Sequence, residues 1–128
     1  MSITADRMDT AQADAFASGR IDANAIPVLD TRLVTGTEWD RTIADFDEVC
    51  QEQLYAFAAA RWPSVQHEPV LFLLDGEVVG GCLVMVQPLP LRLSHIAVSK
   101  WGPIRKDLSR PDAEAIHAGM VEALIADY

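Results

Sequence analysis

Two apolar runs flanking Asp75-Gly76 set the pattern of this chain of 128 residues. The stretch from Pro69 to Pro103 reads PVLFLLDGEVVGGCLVMVQPLPLRLSHIAVSKWGP, and its Asp-Gly dipeptide tolerates the positive φ angles of a tight hairpin turn. Val70 to Leu74 is apolar at every position, which predicts a strand covered on both faces. Val78 to Gln87 is too long and too apolar for a surface ribbon. Pro88-Leu89-Pro90 removes two backbone donors and predicts a turn, after which Leu93, Ile96 and Val98 form a third strand ending at Gly102-Pro103. The pattern predicts an antiparallel meander of three strands.

Upstream, Pro27 opens Val28 to Val34, a short aliphatic stretch that predicts a first strand, ended by Gly36. Thr37-Glu38-Trp39-Asp40 has the pattern of a capping box and predicts a helix start. Apolar residues then recur at Trp39, Ile43, Phe46, Val49, Cys50, Leu54, Phe57 and Ala60, a spacing of three to four that continues to Arg61. This allows one long helix or two with a break around Asp47 to Gln51, and we favour two. Pro63 stops the second, because the residue before a proline is pushed out of the α region.

Ser99 to Arg110 reads as a loop, and Ser109-Arg110-Pro111-Asp112 as the start of a last helix, with serine as cap and proline in the first turn. Ala113, Ile116, Met120, Leu124 and Tyr128 mark its apolar face, which Val121 and Ile125 widen. Residues 1–26 are rich in Ala, Asp, Ser and Gln and predict a flexible segment, with a short helix over Asp9 to Ser18 stopped by Gly19 at most. The remainder, 27–128, reads as one unit.

Composition and candidate chemistry then change this picture. Half the residues are hydrophobic and the mean hydropathy is +0.12, high for a small soluble domain, so some apolar surface is expected to need a partner. No run is long enough for a membrane span, and the N-terminus lacks a basic segment followed by an apolar one, which predicts a cytoplasmic protein. A net charge of −9 and a pI near 4.5 disfavour DNA or RNA backbone as the main partner. Cys50 and Cys82 lack CxxC spacing and read as two buried thiols. His67, His95 and His117 have no helical metal-ligand spacing, so no metal site is expected.

The element order of strand, two helices, three antiparallel strands with a D-G hairpin, and helix resembles the opening of the GNAT-like acyltransferase fold. The chain is similar in particular to the FemAB-type branch, the peptidoglycan aminoacyltransferases and their relatives. The residues carrying the resemblance are Trp39, Gln51 to Trp62, Asp75-Gly76, Val79-Gly80-Gly81, Pro88-Leu89-Pro90 and Trp101-Gly102-Pro103-Ile104. It covers about Val28 to Tyr128, the first part of such a domain. It implies an α+β, GNAT-like partial domain whose mostly antiparallel sheet is flanked by helices. The implied activity is transfer of an acyl or aminoacyl group onto an amine, in cell-wall or peptide-like metabolite synthesis. The acceptor would be a small molecule or a peptidoglycan precursor. Ser99 to Pro111 contains no Gln/Arg-x-x-Gly-x-Gly/Ala loop, so an acetyl-CoA site of the usual kind is not expected there. The resemblance leaves the donor open between an acyl-CoA and an aminoacyl-tRNA, neither held as a tight cofactor, and assigns no catalytic residue.

Candidate binding residues follow from both lines. Arg61 lies where the peptidoglycan-building members place a basic residue for the phosphates of a nucleotide-linked acceptor. Its ordinary role would be to meet the last carbonyls of its helix. The stretch from Ser99 to Arg110 carries Lys100, Arg105, Lys106 and Arg110 against Asp107 alone, and Lys100 and Arg105 beside the Gly102-Pro103 turn are candidates for an anion at a cleft mouth. Gly80-Gly81 marks a bulge or a close approach of backbone to a ligand or helix. In GNAT-like sheets such a strand lines the acyl cleft. The alternative from another class is a non-catalytic assembly module. A sheet ending after its third meander strand would leave an apolar edge open, implying a homodimer, another chain or a missing C-terminal half as its partner.

Overall fold

The Asp75-Gly76 turn forms where the sequence places it, with φ of 52° and 83° at the two residues. In the computed structural model, which describes residues 25–92 and 94–128, it joins β2 (Gln66–Leu74) to β3 (Glu77–Pro88). The expected helix over Asp9 to Ser18 and the strand position at Leu93 lie outside the described residues. The remaining strands are β1 (Asp30–Leu33), β4 (His95–Val98) and β5 (Ile104–Arg105), and the order across the sheet is β1-β2-β3-β4. β5 pairs with β3 on the same edge as β4, further along, and every pairing is antiparallel. The three-strand meander is therefore present. The expected loop from Ser99 to Arg110 is corrected in one respect, since it contains β5, a strand of two residues that is too short to show a period.

Helices α1 (Gly36–Ile43) and α2 (Tyr55–Arg61) cover one face of the sheet, separated by a 3-10 turn at Gln51–Gln53. Two helices are present rather than one. The cap of α1 is Thr35 and not Thr37, because Thr35 Oγ1 accepts the Glu38 N–H at 3.1 Å while Glu38 turns to Arg32 at 3.2 Å. Gly36 thus begins the helix, and the Tyr55 ring lies where a Cβ on Gly36 would go. Asp40 caps α2 from outside it, its carboxylate accepting the N–H groups of Tyr55 at 2.6 Å and Ala56 at 3.1 Å.

Helix α3 (Ala113–Asp127) covers the opposite face. It starts later than the Ser109 signature predicts, because Asp107 Oδ1 accepts both the Ser109 hydroxyl at 2.5 Å and the Ser109 N–H at 2.9 Å, taking that serine away from the helix. The two apolar layers follow the strand alternation. Val70, Phe72, Val84 and Val86 meet Ile116 and Met120 on the α3 side, while Leu71, Leu83 and Ile104 meet Trp39, Ile43 and Phe46 on the α1–α2 side. Of the two cysteines, Cys82 is buried as expected, whereas Cys50 is only half-buried. No described helix is long and apolar enough to cross a membrane.

Gly80 and Gly81 lie at the waist of this sandwich. The register between β2 and β3 shifts by one residue opposite Phe72 and Leu73, so Val79 and Gly80 both face α3. A Cβ on Gly80 would stand 2.5 Å from Met120 Sδ and 2.7 Å from the Ile104 carbonyl oxygen. On the other face, a Cβ on Gly81 would stand 2.6 Å from the Trp39 ring. The bulge and the helix approach are both present, and the room at the two glycines is filled by Met120 and Trp39.

Candidate functional site

The outer edge of β3 is paired in two places and not between them. β4 pairs with Met85 to Pro88, and β5 pairs with Gly80 and Gly81. Alternation of the ladder turns the Leu83 N–H toward this edge, where no strand among the described residues meets it. Gln53 takes the vacant place. Its Oε1 accepts the Leu83 N–H at 2.8 Å, and its Nε2 donates toward the Lys100 carbonyl, the Gly102 carbonyl at 3.2 Å and Ser99 Oγ at 3.3 Å. Gln53 is wholly buried, and its own carbonyl accepts the Trp39 indole N–H at 2.6 Å.

The chain that Gln53 holds off the strand edge makes a strained turn. Trp101 and Gly102 both lie in the left-handed region, with φ of 67° and 68°. For tryptophan that conformation costs about 1–2 kcal/mol. Its ring is 77% exposed, so no burial of the side chain offsets this cost. The turn is held by the Gln53 amide and by Ser99 Oγ, which donates to the Gly102 carbonyl at 3.3 Å. Cys82 in turn donates its S–H to Ser99 Oγ at 2.9 Å, and burial pushes the Cys82 thiol up to about 11, which removes it as a nucleophile at neutral pH.

Where β4 and β5 part, the α3 side of the sheet opens into an apolar cleft of about 420 Å³. Val84 and Ala97 form its floor, Ser99 and Pro103 one rim, and Val121 and Ile125 its helical wall. The wide apolar face expected of the last helix therefore has a use beyond the core, because Ile125 is 70% exposed and lines this opening. Tyr128 closes one end, with its hydroxyl donating to Glu68 Oε1 at 2.5 Å, and burial together with that carboxylate pushes the phenol pKa up and keeps it protonated.

The predicted binding residues divide into two groups. Arg61 and Lys100 converge on Trp62, the guanidinium carbon 5.4 Å and the ammonium 4.7 Å from the ring centroid. Beside them, on the α2 side of β4, is a hollow of about 170 Å³ lined by Trp62, Val65, Met85, Ile96 and Val98. Arg105 is not brought to this place. It pairs with Gly80 across the β3–β5 ladder, and its guanidinium is held by Glu48 at 2.9 Å and Glu114 at 3.0 Å. Gly80 and Gly81 stand with Arg105, beneath the helices. His67 Nε2 lies 3.0 Å from the Trp62 carbonyl, and no three His, Cys, Asp or Glu side chains gather among the described residues.

Glu48 ties the segment after α1 to β5. Its Oε1 also accepts the Arg105 N–H at 2.8 Å, and the Asp47 N–H donates to the Lys106 carbonyl at 2.9 Å. Hydrogen bonds from Arg105 hold the Glu48 carboxyl below its ordinary 4.5. A carboxyl depressed in the folded state stabilises the fold above its unfolded value and loses that contribution as pH falls through the folded value. Stability is therefore expected to drop on acidification below about 4.5. Glu48→Gln should lower stability at neutral pH by about 1–2 kcal/mol, the side chain being partly exposed, and flatten this acid limb. Urea titrations of both proteins from pH 7 to pH 3 measure it, and parallel pH profiles would rule the pairing out as a source of stability.

Sequence reasoning missed Gln53, Trp62 and Ser99. Trp62 had a usable signal, a tryptophan directly after Arg61 where a helix must end. Gln53 had none, since it stands among polar neighbours and acquires its role only when β4 leaves the edge of β3. No family model, curated protein or solved structure matches the chain.

Proposed function

We propose that the chain contributes part of a GNAT- or FemAB-like transferase that moves an acyl or aminoacyl group onto an amine. The observation that supports this most is the apolar cleft at the point where β4 and β5 separate on the edge of β3. A cleft there can hold an acyl donor in extended form, between the sheet on one side and Val121 and Ile125 on the other. The residues contribute position rather than covalent chemistry: the cleft excludes water and fixes the carbonyl carbon for approach of the amine, which by itself supplies much of a rate enhancement. The buried Cys82 and the engaged Tyr128 hydroxyl fit that division of labour.

The test is an NMR titration of the chain with acetyl-CoA and, separately, with an aminoacyl-tRNA. One donor is expected to shift the amides of Ala97, Val98, Ser99, Val121 and Ile125, and Ile125→Trp, which fills the cleft, should weaken it by about tenfold. Failure of both donors to move these amides in the folded protein would end this reading.

A second reading, a non-catalytic module that docks another chain on an open strand, is favoured by β4. All four of its residues, His95 to Val98, are exposed.

A further inference from the structure

We propose that the outer edge of β4 receives an extended polypeptide segment that is apolar along its length and acidic where it passes Lys100. This rests on the docking-module reading and names the partner's chemistry. Four observations carry it.

The backbone of β4 is ready to pair. The Leu89 N–H donates to the Ser94 carbonyl at 2.8 Å, and from there the ladder alternates, so Ile96 and Val98 bond to β3 while His95 and Ala97 turn their N–H and C=O groups outward. No strand among the described residues covers that edge. Apolar surface lies on both sides of it. Ile96 and Val98, each about half exposed, border the hollow beside Trp62, and Ala97 borders the cleft walled by Val121 and Ile125. An added strand alternates its side chains between those two faces, so an apolar residue is accommodated at every position.

Both ends of β4 are marked by large apolar residues displayed in a strained backbone. Leu91 precedes the strand with φ of 67° and 87% exposure, and Trp101 follows it at the same φ. Strain of this kind persists where the surrounding structure fixes it, and it gathers at binding sites. Charge then selects the occupant. From Val78 to Lys106 the chain has no Asp or Glu, although its net charge is −9, and besides the ion-paired Arg105 the same stretch holds Arg92, His95, Lys100 and Lys106. Lys100 lines the hollow, and its ammonium and the Arg61 guanidinium both lie over the Trp62 ring. Two copies paired antiparallel with His95 of each opposite Ala97 of the other would bring Lys100 of one toward the position of Arg92 in the other, so like charges oppose self-pairing. An acidic segment meets no such cost.

The test uses the full chain and a fluorescein-labelled peptide of about eight residues, with Val and Ile in its centre and Asp at both ends. Fluorescence polarisation is expected to show binding that falls by about tenfold when alternate peptide amides are methylated, or when Ala97→Pro removes an outward N–H that an edge strand can lose without harm. Lys100→Glu, a surface change that keeps the fold, should weaken binding by roughly threefold to tenfold, and the same peptide with Lys for Asp should bind least. Binding indifferent to both variants overturns the proposal. A chain that sediments as a dimer, and that Ala97→Pro turns into a monomer, overturns the acidic partner but leaves the open-edge reading standing. A monomer that binds no such peptide overturns both.

Discussion

Replacing Gln53 with leucine is expected to lower the free energy of unfolding by about 3–5 kcal/mol, among the largest effects of any single polar substitution in this chain. Leucine has nearly the same size and leaves no cavity, so the loss would come from hydrogen bonds alone. The Leu83 N–H and the Lys100 carbonyl would lose their partner, and the Gly102 carbonyl would keep only the Ser99 hydroxyl. Each buried group left unpaired costs about 1–3 kcal/mol. Gln53→Glu divides the effect, since it keeps an acceptor for Leu83 but sets a carboxylate against two carbonyls, and it should be at least as damaging at neutral pH. Urea unfolding of the three proteins measures this. A leucine variant within about 1 kcal/mol of the parent would mean that the turn relaxes and finds water.

The second large effect is expected at Trp39, where alanine should cost about 3–5 kcal/mol. The indole is wholly buried and donates to the Gln53 carbonyl, and it lies against the Cα of Gly81. Gly81, which faces the ring, has no side chain with which to refill the vacated space. This coupling can be isolated. Gly81→Ala in the parent protein forces a Cβ to within 2.6 Å of the ring and should cost about 1–3 kcal/mol by overpacking. In the Trp39→Ala background the same methyl enters a hole, so the cost should shrink to what its 3.0 Å approach to the Val70 carbonyl imposes. A double-mutant cycle with an interaction energy near zero would show that the two positions do not meet in solution.

What the chain discloses in advance is what depends on near neighbours. The Asp75-Gly76 hairpin, the apolar strands beside it and the existence of a last helix all follow from patterns within a few residues, and the structure contains them. Helix starts were displaced by competition between equivalent signals: Thr35 and Thr37 both offer a hydroxyl, and Ser109 is claimed by Asp107 before the helix can use it. The Gly80-Gly81 pair was legible as a close approach but not as to what approaches. Of the site, Arg61 and Lys100 could be named as cations and not as neighbours, since their meeting on Trp62 depends on where β4 runs. Gln53 was hidden altogether, because hydrogen bonding to a strand edge is a property of the assembled sheet.

The links that Gln53 makes also bear on the order in which the molecule is built. They join positions separated by 30, 46 and 49 residues, while the β2–β3 hairpin closes over a turn of two. Contacts of such long range must wait until the entropy of closing large loops has been offset by others, so the hairpin and its nearest helices are expected to assemble first. The penalty of Gln53→Leu should then fall on the unfolding rate and leave the folding rate nearly unchanged, which stopped-flow measurements on the same proteins resolve. The mouth of the cleft is, on this account, the last part of the chain to close and the first to open.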